Sequence, residues 1–120
     1  MTYRLEKMEN EIDLITKTLL DFRDRRDWAQ FHTAKDLAIA IGVEAAELNE
    51  LFLWKQENEI SKINPERIKE ELADILSYAF LLAEKYKFNV KDLILEKVKQ
   101  NEVKYPVDKA KGRSSKYNEL

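Results

Sequence analysis

NPERIKEELADILSYAFLLAEKYK, residues 64–87, reads as one long helix, and its face pattern decides how the rest of the chain is organised. Asn64 can cap it, Pro65 suits its first turn and Glu66 meets the positive end of its dipole, three start signals that agree. Two adjacent apolar stripes follow. One is Ile68, Leu72, Ile75, Leu76, Ala79 and Ala83; the other is Glu71, Asp74, Ile75, Tyr78, Leu81 and Leu82. A helix apolar over so much of its circumference is central to a bundle or packed on both sides. Glu71 and Asp74 lie inside the second stripe at i, i+3 spacing, so both leave the same side of the helix.

The segment before it repeats the theme. Thr33 with Asp36 resembles a capping box, with Asp in place of Glu or Gln. It predicts a helix from there to about Lys55, with Leu37, Ala40, Ile41, Glu44, Leu48 and Leu51 in its stripe. Glu44 falls within that stripe and Glu47 at its edge, again at i, i+3. Further out, Leu5, Met8, Ile12, Ile15, Leu19 and Phe22 step by threes and fours. They predict an amphipathic helix over about Tyr3–Arg26 with a coiled-coil-like seam. On the other side, Asn89 can cap a helix over about Val90–Lys104, which Pro106 ends. Its face starts apolar at Val90, Leu93 and Ile94, then turns polar and cationic at Lys97, Asn101 and Lys104.

Four such helices in 120 residues predict an all-α, four-helix bundle over residues 1–106. Residues 107–120 read as a flexible basic tail. The long seam and the two-sided third helix suggest that another copy of the chain completes or widens the bundle. Only two glycines and two prolines punctuate the chain, which disfavours many short strands.

Bulk composition removes several functions. The net charge is −2, so no global basic field exists to hold a nucleic-acid polymer. No apolar run approaches a membrane span. Cysteine is absent, which excludes disulfides and thiolate metal sites and fits a reducing cytoplasm. The opening MTYRLEKMENE is charged throughout and does not read as a signal peptide.

The four acids remain to be explained. Acids at this spacing recur by chance in so charged a chain, as Glu6/Glu9 and Glu47/Glu50 show, and a single pair reads as a solvated face. Placement among core residues is what sets these apart, because a buried carboxylate is costly unless a cation meets it. Two such pairs on facing helices offer four oxygen ligands to a hard divalent ion. Mg²⁺ suits them and keeps coordination positions for substrate phosphates. A di-iron centre would want Glu-x-x-His on two helices, and the one histidine, His32, lies outside the four main helices. Trp28, Phe31 and His32 can line a flat pocket for a nucleobase, or can serve as core residues and a polar tip. Lys97, Asn101 and Lys104 can meet phosphate oxygens, or can form a polar helix end.

Taken together, EAAELNELFLWK (44–55), EELADIL (70–76), RDWAQFH (26–32), KVKQNEVKYP (97–106) and KGRSSKY (111–117) resemble the MazG-like all-α nucleotide pyrophosphohydrolases. The resemblance is strongest to their dCTP pyrophosphatase-like branch and covers about residues 18–119. It implies a fold assembled as a dimer or a dimer of dimers, with a homotetramer expected. It also implies Mg²⁺, or Mn²⁺, on Glu44, Glu47, Glu71 and Asp74. Substrate contacts would be Trp28, Phe31, His32, Tyr78, Lys97, Asn101, Lys104 and Tyr105, with Trp54 coming from a neighbouring subunit. Glu47 is the first choice of catalytic base, with Glu71 also catalytic. The implied reaction converts a dNTP and water to a dNMP and pyrophosphate, on dCTP-like or modified pyrimidine nucleotides. The competing readings are a non-catalytic helical oligomerisation module and a nucleotide-sensing module.

Overall fold

A computed structural model describes residues 10–120. Its long elements are four helices: α1 (Glu11–Arg25), α2 (Ala34–Phe52), α3 (Pro65–Lys85) and α4 (Val90–Lys104). A single helical turn, α5 (Val107–Ala110), follows, and short 3₁₀ turns lie at Ala29–Phe31, Glu57–Lys62 and Tyr117–Glu119. No strand occurs among the described residues, so the all-α reading holds.

The helix starts obey their capping side chains. Thr33 Oγ accepts from the Asp36 N–H at 3.1 Å, Asn64 Oδ1 from Glu66 at 3.0 Å and Asn89 Oδ1 from Asp92 at 3.0 Å. Each satisfies one backbone donor that the first helical turn leaves unpaired. The expected start of the first helix at Tyr3 lies outside the described residues; within them Asn10 caps α1 by accepting from Ile12 at 2.9 Å, so α1 begins at Glu11. The Leu5 and Met8 positions of that stripe lie outside the described residues.

The chain groups into two compact units that divide after Lys87. In the first, α2 packs extensively along α3, and α1 touches α3 more sparingly. The core sits at this helix pair: Leu37 on α2 is 2% exposed, and Leu81 and Ala83 on α3 are 7% exposed each. Among the described residues these three alone are fully buried hydrophobics. The two stripes of α3 are covered unequally. Leu81 is buried and Tyr78 half-buried, whereas Leu72 and Leu76 on the other stripe stay 46% and 50% exposed. Among the described residues, the Leu72 and Leu76 side of α3 is therefore left only partly covered.

The second unit, Phe88–Leu120, contains α4, α5 and the C-terminal segment. Tyr105 and Tyr117 pack edge to face at 6.2 Å, and the Lys104 ammonium lies 5.0 Å from the centre of the Tyr117 ring. These contacts tie residues 107–120 back to the end of α4.

Leu37 is the most buried side chain of the α2–α3 seam. Leu37→Ala should lower the unfolding free energy by about 2–5 kcal/mol in urea titrations, whereas Asn64→Ala, which removes only a cap, should cost about 1 kcal/mol.

Candidate metal and nucleotide site

Close packing of α2 on α3 brings their acids together. One carboxylate oxygen from each of Glu44, Glu47 and Glu71 lies within 4.8 Å of the other two. Glu44 and Glu71 are half-buried, and Glu47 is exposed. Glu44 Oε2 and Glu71 Oε2 are both shut off from solvent, and no donor reaches either. The ion pairs among the described residues all join other groups: Arg23 with Asp24, Arg25 with Asp21, Lys69 with Glu66 and Lys87 with Glu84. Among the described residues no ion pair joins a cation to the cluster, although Arg67 lines the depression beside Glu47 and Glu71.

Electrostatics records the cost. Burial, followed by the Glu47 carboxyl that can share a proton with it and repels its charge, pushes Glu44 up to about 7. Glu71 and Asp74 add to that shift. Burial raises Glu71 as well, with Glu47 pushing the same way. Asp74 stands outside the close trio but near enough to act on both Glu44 and Glu71. Carboxylates crowded in this way favour protonation unless a positive charge arrives. The donors are all oxygen, carry high charge and include two buried atoms without partners, so they fit a hard divalent cation. A soft metal would want sulfur or imidazole, and neither is in the trio.

A cavity of about 300 Å³ opens beside the acids. Leu19, Phe22, Trp28 and Leu81 give it apolar walls, and Arg23, His32, Asp74, Ser77 and Tyr78 give it polar groups. The turn after α1 shapes one wall. Asp27 adopts φ 54°, and the Trp28 N–H donates back to the Arg23 carbonyl at 3.0 Å while the Asp27 N–H donates to the Asp24 carbonyl at 3.1 Å. This is a Schellman ending, with Asp at the left-handed position where Gly is usual. It folds Trp28 onto Phe22, with ring centres 5.8 Å apart and planes at 72°. The Arg26 guanidinium covers the Phe22 ring at 3.7 Å.

Opposite, the rings of His32 and Tyr78 meet edge to face at 6.4 Å. Burial, then Arg23 and Lys85, lower the His32 pKa and so favour the neutral imidazole. Burial and then Glu44, Asp74 and Glu47 raise Tyr78, so its hydroxyl stays protonated. Asp74 and Tyr78 therefore belong to the cavity and to the electrostatics of the acids at once.

A second depression of about 330 Å³ flanks the cluster, lined by Glu47, Glu50, Leu51, Arg67 and Glu71.

The other expected site residues fall elsewhere. Phe31 does not line the aromatic cavity and is 62% exposed. Trp54 follows the end of α2 at φ 64° and is 87% exposed. Lys97, Asn101, Lys104 and Tyr105 belong to the second unit. Leu19 and Phe22, read in the sequence only as part of the first helix's seam, also line the cavity, as do Arg23 and Ser77, which the sequence did not single out. Arg23 sits in a run of charges, RDRR, whose members look alike until the fold selects one.

The profile of the MazG-like family matches residues 39–120, which include all four acids. The chain belongs to the MazG-like family. Within it, the chain stands in the dCTP pyrophosphatase-like branch of enzymes. It is 34% identical to human dCTP pyrophosphatase 1, an alignment that covers 93% of this chain and 69% of that protein. The mouse dCTP pyrophosphatase 1 is 32% identical with the same coverage. A crystal structure of a pyrophosphatase from Archaeoglobus fulgidus superposes with a TM-score of 0.77 at 33% identity. That match covers 82% of this chain and 94% of the archaeal one. No helix among the described residues is long and apolar enough to cross a membrane.

The raised Glu44 pKa of this MazG-like cluster has a definite sign in stability. Between 4.5, its ordinary value, and about 7, the folded metal-free chain holds a proton that the unfolded chain has released. Stability therefore falls as pH rises through that window, and the loss is complete above it. Urea midpoints measured in chelator should decline across this range, and Glu44→Gln should flatten the decline; an unchanged slope in the variant would contradict the assignment.

Proposed function

We propose that this enzyme is a Mg²⁺-dependent nucleoside triphosphate pyrophosphohydrolase, acting on a dNTP to give the dNMP and pyrophosphate. The observation that carries this reading is the pair of buried, donorless oxygens on Glu44 and Glu71, next to a cavity with aromatic walls. Oxygens of this kind call for a cation, and a nucleotide is a ligand with an aromatic base at one end and anionic oxygens at the other. The family and the pyrophosphatase names of the relatives agree with it.

In this reading Glu44, Glu47, Glu71 and Asp74 hold the ion, with Mn²⁺ as an alternative to Mg²⁺. When bound, the cation offsets the negative charge of the carboxylates and of the phosphate oxygens. Glu47 is the exposed member of the trio and lines the flanking depression, so it is the acid open to solvent water. It orients a water and takes its proton as the oxygen attacks the α-phosphorus. The bond from that phosphorus to the bridging oxygen breaks, and pyrophosphate leaves. Glu71, lining the same depression, positions Glu47 and is the other candidate base. Tyr78, whose pKa is raised by burial and then by its acidic neighbours, offers a hydroxyl donor in the cavity.

Trp28, His32 and Tyr78 hold the base, preferably a cytosine-like or modified pyrimidine. Lys97, Asn101, Lys104 and Tyr105 are assigned to phosphate and sugar by their chemistry and by the match of KVKQNEVKYP. Phe31 and Trp54 are assigned to the base site on the same ground, Trp54 across a subunit boundary. Assembly as a dimer or a dimer of dimers in the cytoplasm is part of the proposal. Its support is the thin core and the exposure of Leu72 and Leu76 on α3.

Two measurements test the reading. Pyrophosphate release from a panel of dNTPs should fall about 10²- to 10⁴-fold in kcat with Glu47→Gln, and a rate equal to wild type would remove Glu47 from the chemistry. Independently of turnover, Mg²⁺ at about 100 times its Kd should add ~2.7 kcal/mol to stability. Glu44→Gln should abolish most of that gain; a gain of the same size in the variant would place the ion elsewhere.

A further inference from the structure

Arg23 is out of place in the aromatic cavity unless the cavity has a use for it. The apolar walls are Leu19, Phe22, Trp28 and Leu81, from which a guanidinium gains nothing that water would not supply, and among the described residues no ion pair joins it to Asp74, the one carboxylate in the lining. Yet its side chain is only 22% exposed. Asp24 Oδ1 accepts from Nε at 2.8 Å and lies 2.8 Å from Nη2, which fixes the plane of the group. A guanidinium has five N–H donors; with those two engaged, three remain, and no hydrogen bond among the described residues uses them. Arg23 also acts on the His32 imidazole, so it lies on the same side of the cavity chemistry as that ring.

The other polar groups have a complementary character. The Ser77 hydroxyl donates to the Ala73 carbonyl at 2.8 Å, so its oxygen is left to accept. His32 Nδ1 is buried and without a partner. The cavity therefore combines flat apolar walls, an oriented fork of donors and at least one acceptor. That set matches a heterocycle bearing a carbonyl oxygen beside an unprotonated ring nitrogen, with an amino group further along the edge. Cytosine presents this pattern at O2, N3 and N4. Adenine has no carbonyl oxygen and would leave the fork facing an amino group.

We propose that Arg23 is the residue that sets base specificity: its free N–H groups donate to the oxygen and adjacent ring nitrogen of a cytosine-type base, while Ser77 or His32 accepts from the exocyclic amine. This rests on the reading of the cavity as the base site of a nucleotide hydrolase, and it adds a determinant that the aromatic walls do not supply. Stacking on Trp28 is tolerant of any base, because every base has a π face. Discrimination has to come from the polar edge.

The experiment compares dCTP with dATP on the wild type, Arg23→Met and Arg23→Lys, with dCMP and dAMP binding followed by titration calorimetry. Arg23→Met should raise KM for dCTP by about 10- to 100-fold, the range for a hydrogen bond to a charged group. The loss for dATP should be far smaller, so the dCTP preference collapses, and Arg23→Lys should recover part of it. The dCMP affinity should fall by the same factor as KM rises. Equal losses for both nucleotides would make Arg23 a structural ion-pair partner of Asp24 and overturn the proposal, as would unaltered discrimination. If the wild type releases no pyrophosphate from either nucleotide, the hydrolase reading fails. The calorimetry still decides the role of Arg23: selective loss of dCMP binding supports it, and absence of dCMP binding to the wild type overturns it.

Discussion

Glu44, Glu47 and Glu71 are held together by packing that has nothing electrostatic in its favour. Apolar contact between α2 and α3, centred on Leu37, Leu81 and Ala83, carries the three carboxylates into one cluster. Like charges at this distance repel, and two of the oxygens have lost water without gaining a donor. The hydrophobic seam must therefore outweigh a local electrostatic cost in the metal-free chain. The same arrangement makes the cluster receptive to a divalent ion, since ligands that already face each other lose little further freedom on binding. Under the proposed function, stability given up at the site and affinity gained there come from the same geometry.

A thin core makes that balance more delicate. A chain of this length can bury many side chains, yet among the described residues three hydrophobics are fully covered. Apolar positions on α1, α3 and α4, such as Leu14, Leu72, Leu76 and Leu95, remain about half exposed. Such an apolar surface is more than scattered decoration, and it is the physical ground for proposing that further copies of the chain complete the structure.

Much of the fold was legible because the signals are local. Thr33, Asn64 and Asn89 cap the helices they were expected to cap, since a side chain bonding a backbone N–H two or three residues away needs no tertiary partner. Asn10 was missed as a cap because the apolar stripe runs through it, and periodicity outweighed a single polar residue. The acids were legible as a set because Glu44 and Glu71 interrupt apolar stripes. Arg23, Phe22 and Ser77 were not, because each looks ordinary on its own helix. Arg23 joins the cavity from α1, Trp28 through the left-handed turn at Asp27, and Ser77 from α3.

The sequence by itself determined the helices, their caps and the acid pairs, and through its motifs the family. All of these depend on residues within a few turns of one another, where spacing dictates direction. Tertiary structure alone decided that Glu47 joins Glu44 and Glu71 in the closest trio while Asp74 turns toward the aromatic cavity. It alone selected Arg23 from a run of similar charges as the one that faces a base-sized space. The reason is that the distance between side chains on different helices depends on how those helices cross and how the turn between them closes, and no spacing along one helix carries that information.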